Sequence, residues 1–475
     1  MTTRFRPGLL AAIAAALTTS ACATFSPDGG MDVPARVARH DLKSDVVHIH
    51  SDEDATRIHT HVGRLLRKPL TAEAAVQIAL LNNRGLQAAY NALGIAEAVR
   101  VQDSLPPNPS IEISRLSGPA EIEIDRQIVA SILALATLPM RREIAAERFR
   151  QAQLAAALET LRVATEARRS YVRAVAARQQ VALLEQANAA AATTSELAKR
   201  LGRTGAMNKL DQARELAFHA ELATQLASAR QRADSEREGL IRALGLWGDD
   251  LGFRLPDRLP PLPNHVRTQR QIEQEAVSRR ADLQIARIEV ETLARSYGLT
   301  QATRFVNVLD AGYADKITKD RDTGERRRDR GFTVSLEVPI FDFGEARLRE
   351  AEGYYLQAVN RLAEKAVNIR SEARQAYRNY RATYDIARHY QKDVLPLRNT
   401  ISEEMMLRYG AMQVDVFALL AEARQKIAVS SAAADALRDF WLASADLSTA
   451  VTGGGGSGGS ETASVTMPTS SPGGH

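Results

Sequence analysis

A single cysteine, Cys22, stands in 475 residues, so no internal disulfide can form in any compartment. Aromatic residues make up only 5% of the chain, against 45% for the broad apolar class. That shortage excludes a membrane barrel built by this chain alone, which would need aromatic girdles and a long series of alternating segments. Alanine and leucine carry the apolar surface instead, a composition that suits long helices. A dominant charge sign is missing as well: Lys+Arg 62 against Asp+Glu 57 leaves +5, spread thinly, and sets nucleic acid aside as a partner. Beyond the first residues no stretch is long and apolar enough for a membrane helix, so any later crossing must be made of strands. No G-x-S-x-G, G-x-x-x-x-G-K or H-E-x-x-H pattern occurs, and nothing points to catalysis.

What is present begins with an export signal. Arg4 and Arg6 precede a short apolar run, Leu9 to Leu17, which closes on Thr19-Ser20-Ala21-Cys22. Small residues before the lone cysteine resemble a bacterial lipobox, which gives residues 1–21 as signal peptide and Cys22 as the site of a covalent lipid, the only added group expected. Residues 22–69, with Pro27, Gly29, Gly30 and Pro34, read as an extended leader.

From Leu70 the period becomes helical, with Leu70, Ala74, Ile78 and Leu81 on one face and Thr71 as N-cap. Long Ala-rich tracts follow at about 141–200 and 209–246. A 60-residue helix would run about 90 Å, a length that a coiled wall needs and a globule does not. A Pro-rich linker at 249–269, with its core at Leu255 to Pro263, separates two halves, 70–248 and 270–452, and a Gly/Ser/Thr-rich tail, 453–475, reads as disordered. The halves repeat: Ala79-x6-Leu86-Gln87-x-Ala89 matches Ala276-x6-Leu283-Gln284-x-Ala286, Leu138-Pro139 matches Val338-Pro339, and Arg203 to Met207 matches Arg408 to Met412.

Each half also holds a stretch with strand period. Phe332, Val334, Leu336 and Val338 alternate with Thr333, Ser335 and Glu337; with the segment from Arg304 to Asp315 they make a hairpin over about 304–339. Its connector, Ile317 to Arg330, carries six basic and four acidic side chains and reads as a loop held in water. In the first half a hairpin over about 109–138 runs through Ser110 to Ser114 and Glu121 to Ile124. Four strands with an apolar face cannot stay open in water: either they pack on a helix as a small soluble sheet or, as the export signal and the expected lipid on Cys22 favour, the apolar side meets lipid in a sheet closed by several chains.

The order of helices and hairpins, the duplicated Leu-Gln-x-Ala segment, Pro339-Ile340-Phe341-Asp342-Phe343-Gly344, Tyr409-Gly410 and the Pro-rich junction resemble the outer-membrane factor family, the TolC-like efflux ducts, in its lipoprotein form. The resemblance implies a mainly α fold with a small β part, in which a duplicated helix, β-hairpin and long-helix pair forms one third of a homotrimer. A shared twelve-stranded outer-membrane barrel would cap a periplasmic α-helical tube, anchored by lipid on Cys22. It further implies a passive conduit, with a periplasmic adaptor and an inner-membrane transporter as partners, and a helix break at Pro396. A periplasmic coiled-coil adaptor or structural lipoprotein is the alternative reading, with the alternating segments folded as a small soluble sheet.

Within this resemblance Arg203, Gly205, Arg408 and Gly410 become adaptor-docking residues, the two glycines being where the chain reverses. Asp211 and Asp415, six and five residues past those glycines, become candidates for acidic rings at an aperture. Phe332, Val334, Leu336 and Val338 become the lipid-facing strand. Separately, His48, His50, His59 and His61 alternate around an acidic run; in an extended leader they are metal-ligand candidates and would point to metal efflux.

Overall fold

The computed structural model describes residues 24–453 apart from 267 and 269–271; the expected signal peptide 1–21, Cys22 and the tail beyond Gly453 lie outside the described residues. The expected extended leader is a correction. Helix α1 (Asp32–Val37) runs into a π turn at Ala38–Leu42, and α2 (Asp52–Leu66) buries Ile58 and Val62. Ser51 explains the second helix: its hydroxyl caps the Asp54 N–H at 3.1 Å, and acidic residues fill the first turn. The Asp54 carboxyl is held below its ordinary value by Arg57, then by bonds from Ser51 and the His50 N–H.

From Thr71 the elements follow one another twice in the same order. In the first half α3 (Ala72–Asn82) and α4 (Arg84–Ser104) lead to β1 (Ser110–Ser117) and β2 (Glu121–Ser131), then through a short α5 (Ile132–Ala136) to α6 (Leu138–Arg203) and α7 (Lys209–Leu244). In the second half α8 (Ile272–Arg279) and α9 (Ala281–Ala302) lead to β3 (Val308–Asp320) and β4 (Arg326–Glu337), then α10 (Glu345–His389), α11 (Leu395–Gly410) and α12 (Val416–Thr452). The 66 residues of α6 give it a length of about 100 Å at the usual rise. Thr71 is the N-cap of α3 as read, accepting from the Ala74 N–H at 3.1 Å. A π turn at Tyr390–Val394 separates α10 from α11, where Pro396 supplies no N–H and the ladder must shift.

The chain divides into two compact units. One gathers residues up to Val37, Gln87–Ala157 and Ala281–Asn368, and holds the four-stranded antiparallel sheet in the order β1-β2-β3-β4. The two hairpins are joined by β2 pairing with β3, in a register that sets Ile128 opposite Tyr313 and Ile124 opposite Ile317. Residues just after the expected lipid site are fastened to this unit. Buried Glu97 accepts the Ser26 N–H at 2.6 Å and the Ser26 hydroxyl, and Arg100 donates to the Thr24 carbonyl at 3.1 Å. At Gly30, φ is +80° and a Cβ would lie 2.6 Å from the Phe149 ring, so only glycine fits.

The other unit gathers Ala38–Leu86, Leu158–Arg280 and the residues from Ile369. Its aromatic centre is Phe440, fully buried, with ring centroids of Tyr380, Tyr384 and Trp441 at 5.5, 5.6 and 5.2 Å. Tyr384 donates to the Pro263 carbonyl and Trp441 to the Pro260 carbonyl, at 3.1 and 3.0 Å. The Pro-rich connector is thereby strapped onto helices, its carbonyls satisfied by side chains because proline supplies no donors of its own. Tyr171 is bound likewise, donating to the Leu70 carbonyl at 3.1 Å; burial, then Glu73, pushes its phenol up to about 12.

Candidate functional site

The sheet has two chemically distinct faces, and among the described residues no helical layer covers either. On one face cross-strand rows run Leu309–Leu336, Ala130–Ala311–Val334 and Ile111–Ile128–Tyr313–Phe332. Phe332 is 86% exposed and Val334 71%, with Leu336 and, just past the ladder, Val338 also open. The opposite face carries Ser131–Asp310–Ser335 and Glu112–Gln127 in its rows. Alternation along each strand and antiparallel register together sort the side chains in this way. Phe341, Phe343 and Phe305, at 97%, 58% and 59% exposure, cluster at the end of the sheet where α9 gives way to β3 and β4 ends. With Phe332 they are four of the eleven phenylalanines in the chain.

The charged connector of the second hairpin is a correction. Ile317 to Arg330 is not one loop: β3 continues to Asp320 and β4 starts at Arg326, with Lys316 opposite Asp329 and Ile317 opposite Arg328. Only the residues from 321 to 325 turn. Composition suggested a solvated loop, but cross-strand pairing of opposite charges stabilises strands as well. In the first hairpin the strand ends at Ser131, and Ile132–Ala136, expected to extend it, is helical with Ser131 as cap.

The two helix reversals share one geometry. At the first, α6 ends at Arg203, Gly205 has φ +77°, and the Ala206 N–H returns to the Leu201 carbonyl at 2.9 Å while Gly205 returns to Gly202 at 3.3 Å, a Schellman closure. At the second, the Gln413 N–H returns to the Arg408 carbonyl at 2.9 Å and Met412 to Tyr409 at 3.0 Å. The left-handed residue there is Met412, with φ +58°, whereas Gly410 still belongs to α11. Gly410 is therefore not the reversal point; the counterpart of Gly205 is two residues further on. A methionine in this conformation costs about 1 kcal/mol relative to glycine, and Met412 is 94% exposed. Arg203 and Arg408 are exposed beside these turns.

The two aspartates are not equivalents. Asp415 is the N-cap of α12, accepting from the Ala418 N–H at 2.8 Å; the residue in its place at the first reversal is Asn208, which caps α7 through the Asp211 N–H at 2.9 Å. Asp211 sits three residues into that helix, bonded to Asn208 at 2.6 Å and Arg214 at 3.1 Å. Asp415→Ala is expected to cost about 1 kcal/mol through the lost cap, read as a lower thermal midpoint by circular dichroism. An unchanged midpoint would remove the cap from its role.

Sequence reading missed the ion pairs that pin the first turns of α12. Arg424 donates to buried Glu215 of α7 at 2.8 Å and lies over the Phe218 ring at 4.1 Å, and Arg398 of α11 meets Glu422 at 3.0 Å. The first pair is half made: Glu215 Oε2 and Arg424 Nε are buried without a hydrogen-bond partner. The partners are 209 residues apart in the chain, so no spacing rule could have joined them.

The histidines divide. His48 and His50 lie outside regular secondary structure with ring centroids 3.9 Å apart. His59 and His61 lie on α2, where residues two apart point to different sides; His59 faces Asp250 at 3.6 Å and His61 bonds Arg64 at 3.2 Å. Among the described residues no group of three or more His, Cys, Asp or Glu is placed to hold a metal ion, and no helix is long and apolar enough to cross a membrane.

No protein-family model matches this chain, and no curated protein does. Solved structures do. The CmeC outer membrane channel of Campylobacter jejuni matches with TM-score 0.69 at 15% identity, covering 81% of this chain and 86% of that one. The outer-membrane channel OprN matches with TM-score 0.65 at 16% identity over 92% and 97%, and the MtrE outer membrane channel of Neisseria gonorrhoeae with 0.61 at 16% over 80% and 88%. These neighbours are membrane channels, not enzymes. At such identities the likeness is one of fold, and the sequence resemblance to the outer-membrane factor family holds at that level.

Proposed function

We propose that this chain is one protomer of a homotrimeric outer-membrane efflux channel, a passive conduit joined through a periplasmic adaptor to an inner-membrane transporter. The observation that carries the reading is the bare sheet, with an apolar face open and hydrogen-bonding edges at β1 and β4. Three copies of the four strands would close a twelve-stranded barrel, satisfying the edges with one another and the apolar face with lipid. The exposed phenylalanines would form the periplasmic side of its aromatic girdle. Lipid on Cys22 would lie two residues before Thr24, which is held in the same unit as the sheet. A soluble adaptor or structural lipoprotein would need a second layer over that face.

The test is recovery and conductance. Full-length protein is expected in outer-membrane detergent extracts as a trimer that conducts in planar bilayers. A monomer released once its lipid is removed would support the rival.

In this reading the helix reversals form the periplasmic tip. Met412, exposed and strained, joins Arg203, Gly205, Arg408 and Gly410 as an adaptor contact. Copies of Asp415 would surround the axis while capping their own helices. Opening moves α11 and α12 outward, and the Arg424–Glu215 pair is the bond that must break. Losing a charge-assisted bond worth about 2 kcal/mol shifts a two-state equilibrium roughly 30-fold. Arg424→Ala is therefore expected to raise the open fraction in single-channel records by that order. Traces identical to the parent would discard the latch while leaving the channel reading intact.

A further inference from the structure

Beyond the apolar rows the same face of the sheet changes character abruptly. Cross-strand rows run Ile113–Arg126–Asp315–Arg330, then Arg115–Ile124–Ile317–Arg328, then Ile122–Lys319–Arg326. All lie an even number of residues from Phe332 or its partners, so all share its face. Here Arg115, Arg126, Lys319, Arg326, Arg328 and Arg330 face a single carboxylate, Asp315. The opposite face over the same rows is acidic instead: Glu121, Glu123, Asp125, Asp320 and Asp329 outnumber Lys316 and Arg327. There the cations are engaged, Lys316 with Glu123 at 2.9 Å and Arg327 with Asp329 at 3.1 Å.

We infer that this cationic belt binds the phosphate groups of phosphorylated glycolipid headgroups in the outer leaflet. The inference rests on the reading of the sheet as one third of a membrane barrel, and identifies the lipid that the barrel would meet. Three observations and one general property support it. Asp315, 6% exposed, takes both forks of Arg328 at 2.6 Å and holds Arg330 at 3.8 Å, which fixes two guanidinium planes but leaves the belt with a large positive excess. Isoleucines 113, 122, 124 and 317 are interleaved with the arginines. In water those isoleucines would gain nothing, and inside hydrocarbon the arginines would be too costly, so the mixture belongs at the boundary between acyl chains and headgroups. Distance agrees: from Val334 the belt runs from Arg330, four residues on, to Arg326, eight residues on, about 10 to 20 Å along the normal at a usual barrel tilt, which brackets half the height of an apolar band. Finally, guanidinium groups bind phosphate bidentately and hold charge at any relevant pH.

The test uses full-length trimer in detergent, titrated with bisphosphorylated lipid A and with its dephosphorylated form. The bisphosphorylated lipid is expected to bind at least about tenfold more tightly, equivalent to one well-placed phosphate contact. Arg126→Gln with Arg330→Gln spares the Arg328–Asp315 pair and is expected to erase that preference. Lys316→Gln with Arg327→Gln, removing equal charge from the other face, is expected to retain it. Equal binding of the two lipids, or retention of the preference in the first double variant, overturns the inference. Competition by millimolar inorganic phosphate as effective as by the lipid also overturns it, since the site would then serve a free anion. Incorporation into outer-membrane vesicles is scored on the same samples. Insertion without phosphate preference sinks the belt alone, whereas failure of the parent to insert sinks the barrel reading itself.

Discussion

In the proposed barrel, Val334→Lys is expected to empty the outer membrane of this protein, and Ser335→Lys, one residue along, to leave it in place. Val334 stands in the exposed apolar row with Ala311 and Ala130; Ser335 points to the other side, opposite Asp310. A lysine facing the middle of the hydrocarbon costs about 2–4 kcal/mol, and in the proposed trimer the cost repeats three times, about 6–12 kcal/mol in all. The Ser335 variant places its cation next to Asp310 in the proposed lumen and changes only which ions pass, with cation preference in bilayer records expected to fall. Immunoblots of fractionated membranes read the first effect and reversal potentials the second. Equal loss of both variants, or equal survival, would remove the assignment of faces.

Phe440→Ala is expected to have the next largest effect, about 3–5 kcal/mol of stability. The ring is fully buried among Tyr380, Tyr384 and Trp441, and the last two fasten the Pro-rich connector through the carbonyls of Pro263 and Pro260. Removing it opens a cavity and frees both straps together. Tyr384→Phe, which loses only the hydroxyl bond, is expected to cost about 1 kcal/mol. Thermal unfolding followed by circular dichroism separates these outcomes. Similar midpoints for the two variants would mean that the ring packs less tightly than its burial implies.

Local patterns were the legible part. Thr71, three residues ahead of a free N–H, announces a helix because a hydroxyl at that spacing can cap it, and Thr71 does so. Leu86 and Leu283, matched through the Leu-Gln-x-Ala repeat, are both buried, as a duplicated pattern requires. The leader misled because proline and glycine near residues 27–34 outweighed a capping serine at position 51. Gly410 misled for a related reason: glycine is the residue that favours a left-handed turn, yet the backbone bonds closed two residues later and imposed that conformation on Met412.

By itself the sequence determined the two periods, 3.6 and 2, and an apolar strand face that water alone cannot satisfy, because these depend on residues a few positions apart; the duplicated order was legible too, because a repeat shows in the linear pattern without any contact. Tertiary structure alone decided that β2 pairs with β3, that Lys319, Arg326, Arg328 and Arg330 of the charged connector continue the apolar face, and that Arg424 meets Glu215. The strand cases depend on register, where a slip of one position would turn every side chain to the other face, and the Arg424–Glu215 pair depends on how two helices distant in the chain pack.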